Sequence, residues 1–163
     1  MAFAEDLLKQ AFLLLNKDSK NPTQASLRRS VSTAYYALFH LLIQEASANW
    51  SRAETRDYLA RAFDHRTMKQ ACTWAENATY DATYDATLSP QVITKLRSVA
   101  RAFRELQLQR HLADYSNATK WDRIKASAKV DQAKTAFHDW KSIRDEFVAQ
   151  KYLVSLLSNY KEE

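Results

Sequence analysis

The chain has 163 residues, with 24 Lys and Arg against 19 Asp and Glu, one Cys, two Pro and no Gly. Average usage would place roughly eleven glycines in a chain this long. Their absence excludes Walker A loops, GxGxxG dinucleotide turns and GxSxG nucleophile elbows, which need glycine for positive φ or close backbone approach. Sheets joined by tight hairpins are disfavoured for the same reason. The expectation is an all-α protein: one helical domain over residues 1–163, an antiparallel bundle of four to five main helices.

Apolar spacing gives the helices in chain order. The first runs from about Phe3 to Asn16, with Phe3, Leu7, Ala11, Leu14 and Leu15 on one face. The stretch KDSKNP (17–22) ends it, because proline and the residue before it resist helix. The second starts at Thr23 or Ser26 as cap and continues to about Ala48, with Leu27, Val31, Ala34, Leu38, Leu41 and Leu42 as its core stripe. The third spans about Arg52 to Ala75 with a bend near Asp64-His65, and buries Tyr58, Leu59, Ala62 and Phe63.

Residues 77–88, NATYDATYDATL, form a tandem repeat that reads as an exposed loop with at most a helical turn, since Thr and Asp are weak helix formers. Ser89-Pro90 then starts a fourth helix, Ser as cap and Pro in the first turn. Its seam is Val92, Leu96, Val99, Phe103, Leu106, Arg110 and Ala113. A charge at the core-phase position of Arg110 needs a partner, such as Asp114 one turn on, or a functional reason. After a turn near Ser116 and Asn117, a last long helix is expected from about Lys125 to Ser158. Its apolar residues Phe147, Leu153, Leu156 and Leu157 are spare enough to suit an interface.

Cys72 alone forms neither an intramolecular disulfide nor a Cys-based zinc site, which fits a reducing cytoplasm. The start MAFAEDLLKQ carries Glu5 and Asp6 and no basic region, so it reads as no signal peptide. No apolar run approaches a membrane span. A soluble cytoplasmic protein without membrane contact is expected. The four histidines show no i,i+4 pair and no HExxH, so neither a metal nor another cofactor is expected.

Charge is uneven along the chain. Lys95 to Arg144 holds twelve Lys and Arg against five Asp and Glu, a net of +7, leaving −2 for the rest. Such a basic half suits a polyanion, nucleic acid being the usual case, or is an ordinary solvated surface. Two clusters bear on that choice. Arg29, Thr33, Tyr36 and His40 form one polar stripe on the second helix. Arg104, Arg110 and His111 gather with Asp114 and Tyr115 toward the end of the fourth. Arg, His and Tyr can hold a phosphate and move protons without metal.

The segment LRRSVSTAYYALFHL (27–41), followed about seventy residues on by RHLADY (110–115), resembles the HEPN superfamily, the higher eukaryote and prokaryote nucleotide-binding domain. His65, in FDHRTM, stands where many such domains carry a histidine. The resemblance covers approximately residues 5–150. It implies a bundle of four or five helices and a homodimer that binds RNA or a nucleotide. Many relatives are metal-independent ribonucleases of toxin–antitoxin, CRISPR-linked or anti-phage systems, often acting with a protein encoded by the neighbouring gene. Their signature is Arg, a polar residue, three others, then His. Arg110 and His111 align with its first two positions, and Tyr115 stands where the histidine belongs.

That departure matters chemically. At pH 7 about one tyrosine in a thousand is ionised, and general acid–base catalysis is worth about 10²–10⁴ in rate. Three readings follow: a binding module using Arg110 with Arg29, Tyr36, His40, His65, Arg104, His111 and Asp114 around it; a ribonuclease using His111 or Tyr115 with Arg110; and a non-catalytic helical partner of a nucleotidyltransferase or defence effector.

Overall fold

The computed structural model describes residues 2–18, 20–80 and 88–158, and the regular structure among them is all helical. Helices α1 (Ala2–Asn16) and α2 (Gln24–Ala48) are followed by a 3-10 turn (Ala53–Thr55), then α3 (Arg56–Ala60) and α4 (His65–Asn77). The chain continues through α5 (Pro90–Tyr115), α6 (Arg123–Ile143) and α7 (Phe147–Ser158). Four starts carry side-chain caps. Thr23, Asp64, Ser89 and Asp122 accept from the backbone N–H of Ser26 (3.1 Å), Thr67 (2.9 Å), Val92 (3.2 Å) and Lys125 (2.8 Å). Each such cap contributes on the order of 1 kcal/mol. Asp18, just after α1, has φ 55° and is the one described residue in the left-handed region. It supplies there what glycine usually supplies, because a short polar side chain tolerates that conformation.

α2 is the central element. It packs on α1, α5 and α6, while α5 packs on α4 and α6, and α7 lies on α4 and α2. The expected core stripe of α2 is buried throughout, from Leu27 to Leu42. Along its middle, the face formed by Arg29, Thr33, Tyr36 and His40 is the less buried one. The α5 seam likewise buries Leu96, Val99, Phe103, Leu106 and Ala113.

Three expectations need correction. The third predicted helix is two, because the chain breaks at 61–64 and Asp64 restarts it as the cap of α4. Tyr58 and Ala62 accordingly face solvent; Tyr58 lies beneath the Arg61 guanidinium, whereas Phe63 is buried. The last predicted helix is also two, interrupted at 144–146 where Glu146 N–H donates to the Ile143 carbonyl. The buried phase of α6, ending Phe137, Trp140, Ile143, would continue onto Phe147 and Val154, yet those are 56% and 60% exposed. The break rephases the chain so that Val148, Tyr152, Leu153 and Leu156 are buried instead. It also places Arg144 against the buried Glu45 carboxylate at 3.3 Å. Leu153 and Leu156 therefore belong to the protein's own core, leaving Phe147 and Leu157 at the surface.

Most of the repeat at 77–88 lies outside the described residues. Tyr80, within them, is half-buried; its hydroxyl donates to the Ala75 carbonyl and Arg97 covers its ring. Among the described residues no helix is long and apolar enough to cross a membrane.

Candidate functional site

The N-terminal half of α2 and the C-terminal end of α5 lie side by side and enclose an open cleft of about 500 Å³. Its walls are Arg29 and Tyr36 from α2 and Asp114 and Tyr115 from α5, with Ala25, Arg28 and Ala113 between them. Two residues from each cluster identified in the sequence thus meet in one place. Helical spacing explains the α2 side: Ala25, Arg29 and Tyr36 lie on one face. The α5 side depends on how that helix ends. Arg28 donates to the Ala113 carbonyl at 2.9 Å and to the Thr119 carbonyl at 2.8 Å, closing the last turn onto α2. Carbonyls at a helix C-terminus lack intrahelical partners, so a guanidinium fork there satisfies two acceptors.

Arg110 does not line this cleft; it lies against two residues that do, Tyr36 and Asp114, with its side chain 14% exposed. Its guanidinium lies 5.4 Å from the centre of the Tyr35 ring and 5.6 Å from that of Tyr36. Such rings hold a cation against their negative faces. Asp114 is 3.8 Å away and takes a further hydrogen bond from the Ser32 hydroxyl at 3.2 Å. The predicted i,i+4 ion pair is present, but it is long, and Arg110 Nε is buried without a hydrogen-bond partner. A buried guanidinium N–H left unpaired is costly to the fold.

Behind Arg110 the cluster continues into α4. The Tyr35 hydroxyl is 2.5 Å from His65 Nδ1, and the His65 ring stacks on Phe39 at 4.3 Å between centroids. The His65 backbone is pinned by Gln107, whose side chain donates to its carbonyl at 3.0 Å. Burial and the positive charge of Arg110 lower the basicity of His65, and burial raises the Tyr35 hydroxyl well above the usual tyrosine range. The His65 ring is thereby held neutral near pH 7 and Tyr35 un-ionised. His40 lies beyond Phe39, edge-on to the exposed Phe3, and burial lowers its basicity too.

The remaining predicted residues divide. His111 is exposed and outside the cleft lining, its ring 5.1 Å from that of the exposed cleft residue Tyr115. Arg104 is not brought to the cleft. It faces α4, where its Nε is 3.0 Å from Glu76, which also holds Arg101 at 2.8 Å. Part of the basic stretch is held in ion pairs, Lys141 with Glu5 and Arg144 with Glu45. Three contributors were not picked out from the sequence: Arg28, Ser32 and Tyr35. Tyr35 could have been found from the Tyr-Tyr doublet, which sets two rings about 100° apart on one helix, one inward and one on the polar stripe. Arg28 and Ser32 carry no such signal, because their partners are backbone carbonyls and a carboxylate more than eighty residues away.

Among the described residues no group of three or more His, Cys, Asp or Glu is placed to hold a metal ion. Chemically, the cleft lining offers the Arg29 guanidinium, an aromatic wall of Tyr36 and Tyr115, and the Asp114 carboxylate; a guanidinium can hold a phosphate and an aromatic ring can stack on a base. Neither a family model, nor a curated protein, nor a solved structure matches the chain.

Proposed function

We propose that the chain is a HEPN-like binding module whose α2–α5 cleft takes RNA or a nucleotide through Arg29 and Arg110. The convergence of Arg29, Tyr36 and Tyr115 on one open cleft, with the Arg110 guanidinium behind it against Tyr36 and Asp114, carries this reading. Phosphate oxygens would take hydrogen bonds from Arg29 and feel the charge of Arg110 beside the cleft, and Tyr36 or the exposed Tyr115 offers a face on which a base can stack. A second copy packed on the outer face of α5, where Leu108, His111 and Tyr115 are all exposed, would set two clefts side by side. Such a pair in a cytoplasmic defence or toxin–antitoxin system, with a neighbouring-gene protein as regulator, is the setting the motif resemblance suggests.

Cleavage is the weaker reading. It needs a proton carrier at the phosphate, and the residue at the signature's histidine position, Tyr115, is 67% exposed.

Fluorescent single-stranded RNA, titrated with the protein in EDTA at several salt concentrations, tests both. Binding that weakens with salt and falls at least tenfold in Arg110→Ala is expected. No binding, or binding indifferent to Arg110→Ala, overturns the proposal. Shortened RNA in the same samples, absent with Arg110→Ala, would instead make the protein a ribonuclease.

A further inference from the structure

The short contact between Tyr35 and His65 has a direction, and the direction follows from what surrounds it. A neutral imidazole carries one hydrogen, so one ring nitrogen donates and the other accepts. Two arrangements fit the Tyr35–His65 distance of 2.5 Å. Were Nδ1 the donor, the Tyr35 hydroxyl hydrogen would have to turn elsewhere. The guanidinium of Arg110 lies 5.4 Å from the centre of that ring, and its positive charge acts on the hydroxyl. It is positive and made only of donors, so it repels a hydroxyl hydrogen and attracts the oxygen lone pairs. The favourable arrangement has Tyr35 oxygen toward Arg110 and Tyr35 O–H donating to His65 Nδ1. The imidazole hydrogen is then on Nε2, for which no described residue provides a hydrogen-bond partner.

We propose that Tyr35 is a positioning residue that locks His65 as the Nε2–H tautomer, so that the cluster carries an uncharged N–H donor beside the cation of Arg110. The surroundings suit a fixed ring. His65 is stacked on Phe39, lies within 6.2 Å of the Tyr36 ring, and is tied through its carbonyl to Gln107. The charged and titratable groups around it are Arg110 of α5, Asp64 beside it in sequence, and His40 and Tyr35 of α2. A neutral donor differs from a second arginine in what it selects. It hydrogen-bonds to a phosphate or base acceptor without adding attraction to every polyanion, so it contributes to fit more than to charge. That consequence for a ligand rests on the proposed cleft function; the tautomer does not.

The experiment reads the tautomer directly. Histidine side-chain nitrogen–proton correlation spectra of the ¹⁵N-labelled full chain at pH 7.5, with His65 assigned by its loss in His65→Gln, should show protonated Nε2 and bare Nδ1. In Tyr35→Phe the lock is gone, and the His65 signals should move toward a mixture of tautomers. A wild-type spectrum dominated by Nδ1–H overturns the proposal outright, without reliance on any variant's folding. An unchanged His65 pattern in a Tyr35→Phe chain of native helicity also overturns it. With the same labelled RNA as probe, Tyr35→Phe should weaken binding about three- to tenfold, the scale of one hydrogen bond. If RNA fails to bind the wild type while the spectrum shows Nε2–H, the cleft function falls and the positioning role stands.

Discussion

Glu76 of α4 and Arg104 of α5 face each other across the helix interface, with Arg104 Nε 3.0 Å from one carboxylate oxygen. The Glu76 side chain is only 13% exposed, so its charge depends on this contact and on Arg101 at 2.8 Å. Arg104 is thereby a structural residue, although it shares its helix and its charge with Arg110.

Arg104→Ala should therefore cost stability and leave ligand binding alone. Loss of about 1–2 kcal/mol is expected, because Arg101 still partners Glu76 and limits the penalty. The pH dependence carries a second signature. The arginines hold the Glu76 carboxyl below its usual range, chiefly through the Arg104 hydrogen bond. A carboxylate depressed in the folded state contributes stability above its unfolded value of about 4.3, and that stability is lost as pH falls through the folded value. Urea unfolding at pH 7 and pH 3.5 should show the Arg104→Ala deficit shrinking in acid. A deficit of the same size at both values would detach Arg104 from Glu76.

Asp114 opposes the binding it borders. Its carboxylate is 3.8 Å from Arg110 and within the cleft wall, where it repels a phosphate as well as neutralising the guanidinium. Asp114→Asn keeps an acceptor for the Ser32 hydroxyl and removes the charge. RNA affinity should rise about fivefold, the equivalent of roughly 1 kcal/mol for one partly screened charge at this range. Weaker binding in Asp114→Asn would mean that the carboxylate itself contacts the ligand, as it would on a ribose hydroxyl.

Much of this fold is legible in the residues. Thr23, Ser89-Pro90 and the Leu27–Leu42 stripe give the limits and buried face of α2 and the start of α5, because caps and 3.6-residue periodicity are local properties. The breaks at 61–64 and 144–146 are not local. Phe147 is as apolar as Val148, and what selects Val148 for burial is the shape left by α2 and α4, which no sequence window contains. At the site the same division holds. Arg29 and Tyr36 share a helical face and can be grouped by spacing alone. Arg110 stands out by its core-phase position on the α5 seam, but Arg104 groups with it in sequence as a nearby charge, and Glu76, twenty-eight residues from Arg104, is what takes Arg104 away from the cleft.

The histidines should make the protein acid-sensitive below neutrality. Burial, and for His65 the charge of Arg110, lower both His40 and His65 from their usual value. The unfolded chain then binds protons that the folded chain resists. A base depressed in this way contributes stability above the unfolded value of about 6.5, and that contribution is lost as pH falls through the folded values. Unfolding in urea should show a lower midpoint at pH 5 than at pH 7.5. His40→Leu, which keeps packing against Phe3 and Phe39, should remove part of the difference. Equal midpoints at the two pH values in the wild type would contradict the lowered basicities.

Cys72 offers a sharp test of packing between α4 and α7. Its Sγ is 3.0 Å from the Tyr152 hydroxyl, and both side chains are almost fully buried. Burial pushes the thiol up to about 12, against about 8.5 for a free cysteine. At pH 8 the reactive thiolate is then about 10⁻⁴ of the population instead of roughly a quarter. Alkylation by iodoacetamide should be at least about a thousandfold slower in the native chain than in urea, before exclusion of the reagent is counted. In urea exactly one group per chain should react, since Cys72 is the sole cysteine. Tyr152→Ala should open the pocket and speed native alkylation while Arg110-dependent RNA binding persists. A native rate close to the unfolded one in the wild type would show that α7 does not stay packed on α4, and the rephasing at 144–146 would lose its physical basis.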